Sequence, residues 1–175
     1  VVKGWDMVSS IHEFDIPFAR RYLIDKAITP LVLHEAAGNF AEQKSRVPVF
    51  RADSILQLSG ETIHKPRVLA FDIETYSPLD LAIDAEKNPI IMLSFCGEGF
   101  KKVFLWKKFQ TENSFIEFVN DEAQLIGKFK ETVESFKPDI LTGYFSEGFD
   151  FPYIKTRAEK HKIRLDIGFD YSEPR

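Results

Sequence analysis

The chain contains the stretch Val68-Leu69-Ala70-Phe71-Asp72-Ile73-Glu74-Thr75, an apolar run that ends in two carboxylates. The apolar residues and the strong β-formers among them predict a central strand that is buried on both faces. Side chains alternate across a strand, so Asp72 and Glu74 point to the same face, opposite to their apolar neighbours. The two acids therefore converge at the end of the predicted strand.

Two carboxylates at the end of a hydrophobic strand are costly to desolvate unless a cation neutralises them. A hard divalent ion with oxygen ligands is the usual solution, which makes Asp72 and Glu74 candidate metal ligands. The alternative is that the strand ends at Phe71 and that both acids are solvated. The Asp-x-Glu spacing alone is too short a motif to choose between these interpretations.

Composition excludes several classes of protein. At 175 residues and 44% hydrophobic content, the chain can form one domain and part of a second. Its net charge of −4 argues against a protein that coats nucleic acid through bulk charge, but it allows a local basic groove. The single Cys96 lies in an apolar run, which predicts a buried structural thiol. The absence of a signal peptide and of an apolar run near 18 residues predicts a cytoplasmic protein without a membrane partner.

Residues 1–66 predict a small α+β portion that precedes the main domain. Asp15 and Pro17 are typical of the start of a short amphipathic helix, which would end near Thr29-Pro30. Short apolar bursts separated by polar stretches then predict short strands. Pro66 marks the boundary to the second domain, residues 67–175.

After the first strand of this domain, the sequence predicts an antiparallel pair of strands. The apolar run 90–96 and the run 102–106 are joined by the link Gly97-Glu98-Gly99. The second run contains Phe104 and Trp106 and is flanked by lysines. This pattern fits either a surface that binds single-stranded nucleic acid or a sheet edge protected by lysines.

A helix, a strand and a second helix follow. Asn120 is the predicted N-cap of the first helix, and Lys137-Pro138 is its predicted end. The run 139–144 predicts a strand, and Pro152 suits the first turn of the next helix. This order predicts an α/β layer fold with a mixed sheet, in which the strand at 139–144 returns parallel to the first through a helical crossover.

A third acid is predicted to join the first two. Ligand sites in open α/β sheets lie beyond the carboxyl ends of the parallel strands, which is where Asp72, Glu74 and the loop that carries Asp150 would meet. Asp150 alone could simply cap a helix. Three acids together could hold one or two Mg²⁺ or Mn²⁺ ions, which is the chemistry of phosphodiester hydrolysis.

Two motifs in the chain resemble a known family. Residues 71–75 resemble the first exonuclease motif of the family B DNA polymerases, and residues 143–152 resemble the second. Residues 15–26 are similar to a segment of the N-terminal domain in the archaeal enzymes. The resemblance implies a fragment of an archaeal-type enzyme, with part of the N-terminal domain at 1–66 and a 3′-5′ exonuclease domain at 67–175 that is incomplete at its C-terminal side. It also implies a ribonuclease-H-like mixed sheet with flanking helices.

The same resemblance implies a DNA-directed DNA polymerase whose exonuclease removes mispaired nucleotides from the primer 3′ end with two Mg²⁺ or Mn²⁺ ions. The implied partners are the single-stranded primer end, the template strand, the remaining polymerase domains and a sliding clamp. The implied catalytic residues and metal ligands are Asp72, Glu74 and Asp150. The implied DNA contacts are Thr75, Phe145 and Arg21.

The chain also departs from the family pattern. The second motif usually carries an Asn where this chain has Phe145, which could stack on a base instead. A second interpretation is therefore an inactive exonuclease-like scaffold or DNA-binding module. The third motif, Tyr-x-x-x-Asp, is missing, because Tyr76 and Asp80 match its spacing but follow the first motif directly. The fragment alone is accordingly expected to be inactive or very weak.

Arg21 has two interpretations. It occupies the position of an Arg that, in the archaeal enzymes, helps to form a pocket that reads template uracil. The alternative is an ordinary Arg on a helix surface, and the short motif does not decide between them.

Overall fold

The computed structural model describes residues 16–62, 65–78 and 82–174. The chain divides into two compact units, Val1–Ala41 with Phe50–Lys65, and Glu42–Val49 with Pro66–Arg175. In the described ranges, no helix is long and apolar enough to cross a membrane.

The first unit contains helix α1 (Phe18–Asp25) and a two-stranded sheet of β1 (Val32–Ala41) and β2 (Val49–Thr62). Both strands are longer than the predicted apolar bursts. A strand pair is held by backbone hydrogen bonds, which continue through polar residues as readily as through apolar ones. The apolar bursts in the sequence therefore predicted only parts of β1 and β2.

Helix α1 begins directly after Pro17, whose fixed φ and missing N–H suit a helix start. The predicted cap Asp15 lies outside the described residues. The helix ends at Asp25, earlier than the predicted end near Thr29-Pro30, because Ala27 adopts a left-handed φ of 50°.

The second unit is built on a five-stranded mixed sheet with the order β6-β5-β4-β3-β7. The pairs β3–β4 and β4–β5 are antiparallel, whereas β5–β6 and β3–β7 are parallel. The mixed α/β architecture with flanking helices is thus confirmed. Strand β6 escaped the sequence analysis because it has only three residues. The bounds are β3 (Val68–Thr75), β4 (Ile90–Gly97), β5 (Phe100–Leu105), β6 (Ile116–Phe118), α2 (Glu122–Phe136), β7 (Ile140–Thr142) and α3 (Asp150–Lys160).

The core lies on one face of this sheet. Alternate residues of β3, including Phe71, are buried against α2 and α3. The Phe71 ring lies 5.2 Å from Phe129 of α2 and 4.9 Å from Phe151 of α3, measured between centroids. Because both helices pack on the same side, the prediction that β3 is buried on both faces is wrong.

The opposite face of the sheet is open within the described part of the second unit. Val68 at the start of β3 is 39% exposed, and both Asp72 and Glu74 are exposed. Cys96 of β4 also lies on this face and is exposed. The prediction of a buried thiol is therefore wrong, since Phe95, not Cys96, points into the core.

Helix α2 differs from the prediction by one residue at its start. Asp121 is the N-cap, and its side chain accepts a hydrogen bond of 2.8 Å from the Gln124 N–H. Asn120, the predicted cap, lies one residue outside. The predicted end is correct, because Lys137 is a left-handed C-cap directly before Pro138.

The two aromatic rings that the sequence singles out in β5 and at its end pack against the rest of the unit. Phe104 is buried in the core. The Trp106 Nε1–H donates to the Ile90 carbonyl at 2.8 Å, which holds the partly buried indole against β4. Phe104 is therefore unavailable to stack on a base, and Trp106 is held in place by its bond to β4.

Candidate active site

The first two predicted acids lie side by side on the open face of the sheet. Asp72 is opposite Ser94, and Glu74 is opposite Met92, in the β3–β4 register. Both carboxylates are exposed, as the alternation of a strand requires. No ion pair between described residues includes either one. Neither negative charge is therefore neutralised by a direct ion pair with a described residue.

The third predicted acid is brought against the same strand end. Asp150 is the first residue of α3 and is only 2% exposed. Its Oδ1 accepts a hydrogen bond of 3.3 Å from the N–H of Ile73, the residue between Asp72 and Glu74. Strand β7 pairs with β3 only as far as Ala70, and the Asp150 carboxylate meets the β3 backbone beyond that point.

The electrostatics of Asp150 reflect this position. Burial raises the pKa of the Asp150 carboxyl, the Ile73 N–H partly offsets that effect, and the negative charge of Asp72 raises it further. A carboxylate that is buried beside a second carboxylate favours its neutral form unless a cation is present. The site thus has an excess of negative charge that a bound cation would relieve.

A glycine allows the loop between β7 and α3 to run close to β3. A Cβ atom at Gly143 would lie 2.6 Å from the Phe71 carbonyl oxygen and 3.0 Å from the Ser146 Oγ. Any larger residue would push the loop away from the strand. The loop then turns at Phe145, which has a left-handed φ of 56° and whose carbonyl oxygen accepts from the Phe149 N–H at 3.0 Å.

A cleft of about 570 Å³ opens beside Asp72 on the open face of the sheet, and Lys101, Thr142 and Tyr144 are among its lining residues. Tyr144 is 94% exposed, and Phe145, which follows it, is 72% exposed. Sequence reasoning singled out Phe145 but missed Tyr144, although both aromatics stand together in the second motif. The volume is within the usual range for a small-ligand site.

A larger cavity of about 1030 Å³ lies between the segment that carries Arg46 and the C-terminal end of α2. Its lining includes none of the three acids. Arg46 itself donates to Glu134 at 2.6 Å, so its charge is already paired. The smaller cleft beside Asp72 is therefore the candidate active site.

The residues present fit a divalent cation. In the ranges that the structure describes, no three His, Cys, Asp or Glu side chains are close enough to hold a metal ion together. Asp150 nevertheless bonds to the backbone of Ile73, the residue after Asp72, and Mg²⁺ is often bound by only one or two carboxylates, with water and substrate phosphate completing its shell. Asp72 and Asp150 would hold the ion, with Glu74 on the same strand face.

The remaining predicted residues lie in different places. Thr75 ends β3 directly after Glu74, and its side chain interacts with Tyr153 of α3. Arg21 is on α1, where its Nε–H donates to Asp25 Oδ1 at 2.9 Å. Sequence reasoning missed Arg157, although its position seven residues after Asp150 places both side chains on one face of α3.

Comparisons with known proteins give similarities over almost the whole chain. The sequence matches the family described as DNA polymerase family B, exonuclease domain, over residues 9–170. It is 36% identical over 172 residues to a DNA polymerase of Methanocaldococcus jannaschii, covering 98% of this chain and 9% of that protein. It is also 36% identical over 168 residues to a DNA polymerase of Pyrococcus glycovorans, covering 96% of this chain and 17% of that protein.

A solved structure gives the same result. The fold is similar to the family B DNA polymerase from the hyperthermophilic archaeon Pyrobaculum calidifontis, with a TM-score of 0.76 and 28% sequence identity. The likeness covers 98% of this chain and 21% of that one. This chain spans less than a fifth of the two curated relatives named above. The resemblance of its motifs to the archaeal enzymes is confirmed, and the chain belongs to the exonuclease-domain family of the family B DNA polymerases.

Proposed function

We propose that the complete protein is a DNA-directed DNA polymerase, and that this chain forms part of the 3′-5′ exonuclease domain with which it removes mispaired nucleotides from the primer 3′ end. The observation that carries the proposal is the approach of buried Asp150 to Asp72 through the hydrogen bond to the Ile73 N–H. In a chain of this family, that approach supports the proposal that acids from separate motifs act at one sheet end.

The family implies dependence on divalent metal. When bound, two Mg²⁺ or Mn²⁺ ions would polarise the scissile phosphate and lower the pKa of the attacking water. Asp72 and Asp150 would supply the ligand oxygens, and Glu74 would supply a further carboxylate on the open face of β3. Asp150 is buried at the start of α3 and bonded to the Ile73 N–H, which holds its oxygens in place and favours a fixed reaction geometry.

The cleft beside Asp72 would receive the terminal nucleotide of the frayed primer. Lys101 supplies a positive charge for a phosphate, and the exposed rings of Tyr144 and Phe145 supply faces on which bases can stack. Thr75 follows Glu74 at the end of β3, where it would contact the same nucleotide. The template strand, the other polymerase domains and a sliding clamp are the further proposed partners of the complete protein.

The test uses the product of the complete gene and a primer that ends in a labelled mismatch. With Mg²⁺ or Mn²⁺ present, we expect release of the labelled 3′ nucleotide, and chelation with EDTA should stop it. Release that continues in EDTA, or no release in either metal, would contradict the proposal.

The second candidate function is an inactive module that binds single-stranded DNA, and Phe145 is the observation that favours it. We predict that Phe145→Ala weakens binding of an oligonucleotide, measured by fluorescence anisotropy in EDTA, by about 5- to 150-fold, because one base–aromatic stack is worth about 1–3 kcal/mol. Phe109→Ala is the control, since Phe109 is another exposed aromatic, 53% accessible, whose loss should leave affinity unchanged. Equal affinities of all three proteins would show that Phe145 does not stack.

Arg21 is proposed to contact the template strand. We predict that Arg21→Ala in the complete gene product weakens pausing at template uracil, because a guanidinium that contacts the template would be lost. Primer extension on matched uracil and thymine templates measures this. Pausing as strong as in the wild type would leave Arg21 as a helix-surface residue that pairs with Asp25.

A further inference from the structure

Helix α3 is held by one face along its whole length. Its buried residues recur at helical spacing, and they include Asp150 at the start, Tyr153 one turn later and Arg157 two turns later. Each of these three side chains forms a polar contact with a different part of the unit. The position of Asp150 therefore depends on contacts made further along the helix.

The strongest of these contacts is a buried ion pair. The Arg157 Nε–H donates to Glu122 Oε1 at 2.7 Å, and Arg157 Nη2 donates to the other carboxylate oxygen, so the pair is bidentate. Both side chains are 7% exposed. Burial alone would raise the pKa of Glu122, but the hydrogen bonds from Arg157, His161 and the Ile90 N–H outweigh it and lower that pKa.

The pair also forms hydrogen bonds with the segment that leads into β4. Glu122 Oε1 accepts from the Ile90 N–H at 2.8 Å, and Arg157 Nη1 donates to the Ala85 carbonyl at 3.1 Å. One turn closer to Asp150, the Tyr153 hydroxyl donates to the Asn88 carbonyl at 2.8 Å. Helix α3 is thus tied to residues 85–90 directly through Arg157 and Tyr153, and indirectly through Glu122 of α2.

Residues 85–90 are in turn joined to the end of β3. Thr75 pairs with Ile90 in the sheet, and the Tyr76 N–H donates to the Pro89 carbonyl at 3.2 Å. These contacts come directly after Glu74. We call the Glu122–Arg157 pair together with residues 85–90 the frame. The frame therefore contacts Asp150 through α3 and the other two acids through β3.

Stability alone does not account for such a pair. A buried ion pair can often be replaced by apolar residues of similar size with no loss of stability, because desolvation offsets its Coulombic attraction. What a bidentate pair adds is direction, since its two parallel hydrogen bonds fix both distance and angle. Misplacement of a catalytic group by about 1 Å can cost about a hundredfold in rate.

We propose that Glu122 and Arg157 are positioning residues, which set α3 so that Asp150 meets Asp72 in the geometry needed to bind metal. This inference rests on the proposed exonuclease function for its consequence in catalysis. Its structural part stands on the Ile73 N–H, whose bond to Asp150 reports directly whether α3 is in place.

The test compares three variants of the complete gene product. Glu122→Leu combined with Arg157→Leu keeps a packed apolar pair but removes the directional bonds. Arg157→Lys keeps the positive charge but cannot make the two parallel hydrogen bonds of the guanidinium group to Glu122. Val133→Ala is the control, because Val133 is a core residue of α2, 6% exposed, and its truncation lowers stability without touching the frame.

In the double Leu variant, we expect faster hydrogen exchange at the Ile73 amide, at least a tenfold rise in the Mn²⁺ concentration needed for half-maximal nucleotide release, and at least a tenfold fall in kcat. Arg157→Lys should show a smaller change than the double Leu variant in each of these three measurements. Val133→Ala should lower the urea midpoint but leave Ile73 exchange and the Mn²⁺ requirement unchanged.

Wild-type exchange at Ile73 and a wild-type Mn²⁺ requirement in the double Leu variant would overturn the proposal, as would equal changes in Val133→Ala. If the double variant does not fold, Arg157→Lys decides by the same readouts. If the wild type itself releases no nucleotide, the exonuclease proposal fails, and Ile73 exchange still decides whether the pair positions Asp150.

Discussion

Replacing Asp72 by Ala in the complete gene product should lower release of the 3′ nucleotide by at least about a hundredfold, because a bound cation loses a ligand and the reacting phosphate loses its alignment. Asp150→Ala should have an effect of similar size. Primer extension should stay close to wild type in both variants. The measurement is a time course on a mismatched, labelled primer, run beside an extension assay on a matched one.

Asp72 is well suited to this test because its side chain is exposed, whereas Phe71 and Ile73 hold the core from the other face of β3. Its truncation should not unfold the unit. Glu112→Ala is the matched control, since it removes an exposed carboxylate from the loop before β6. A degradation rate that stays at the wild-type level in Asp72→Ala would remove the acid from the mechanism, and a similar loss in Glu112→Ala would point to a general charge effect.

Local rules predicted a substantial part of the fold. The alternation that places Asp72 and Glu74 on one face, the glycine link at 97–99 and the helix end before Pro138 all depend on residues close in sequence. The parallel return of β7 beside β3 followed from the need for a helical crossover. These features need no knowledge of which surfaces later meet.

Burial was harder to predict, because it depends on tertiary partners. The apolar run 90–96 has no polar alternation except Ser94, so its sequence could not show that Cys96 faces the open side. The helix start was ambiguous for a different reason. Asn120 and Asp121 are both good N-caps, and only the backbone geometry at Asp121 selects one of them.

The candidate site was predictable in outline but not in detail. Topology placed Asp150 at the same sheet end as Asp72 and Glu74. Its near-complete burial, and its bond to an amide 77 residues away, depend on tertiary contacts that no local pattern shows. The pairing of Glu122 with Arg157 likewise joins residues 35 positions apart, for which no local pattern exists.

The metal-free 175-residue chain should become more stable at neutral pH when Asp150 is replaced by Asn. The raised pKa of Asp150 means that the folded state binds its proton more tightly than the unfolded chain does. Ionisation of Asp150 therefore lowers the stability of the wild type as the pH rises from the unfolded value of 3.8 through the raised folded value. Asn carries no charge to desolvate, and its Oδ1 can still accept from the Ile73 N–H.

Urea unfolding between pH 4 and pH 8 in EDTA measures this difference, which should grow with pH and level off above the folded pKa. Asp166→Asn is the control with the opposite sign. Its hydrogen bond from Lys130 lowers the pKa of Asp166, so that carboxylate stabilises the fold above 3.8 and loses its contribution as the pH falls through the lowered value. The control variant should therefore be less stable than wild type at neutral pH.

Adding Mn²⁺ should reverse the order of wild type and Asp150→Asn. An ion that binds only the folded wild type stabilises it by about 2.7 kcal/mol at a hundred times its Kd, whereas the Asn variant has lost a carboxylate ligand and should gain little. Binding by Asp72 and Asp150 would thus convert an electrostatic cost of the empty fold into stability of the loaded one. A loss of stability in Asp150→Asn without metal, or an equal gain of both proteins from Mn²⁺, would show that Asp150 is not the uncompensated buried acid of a metal site.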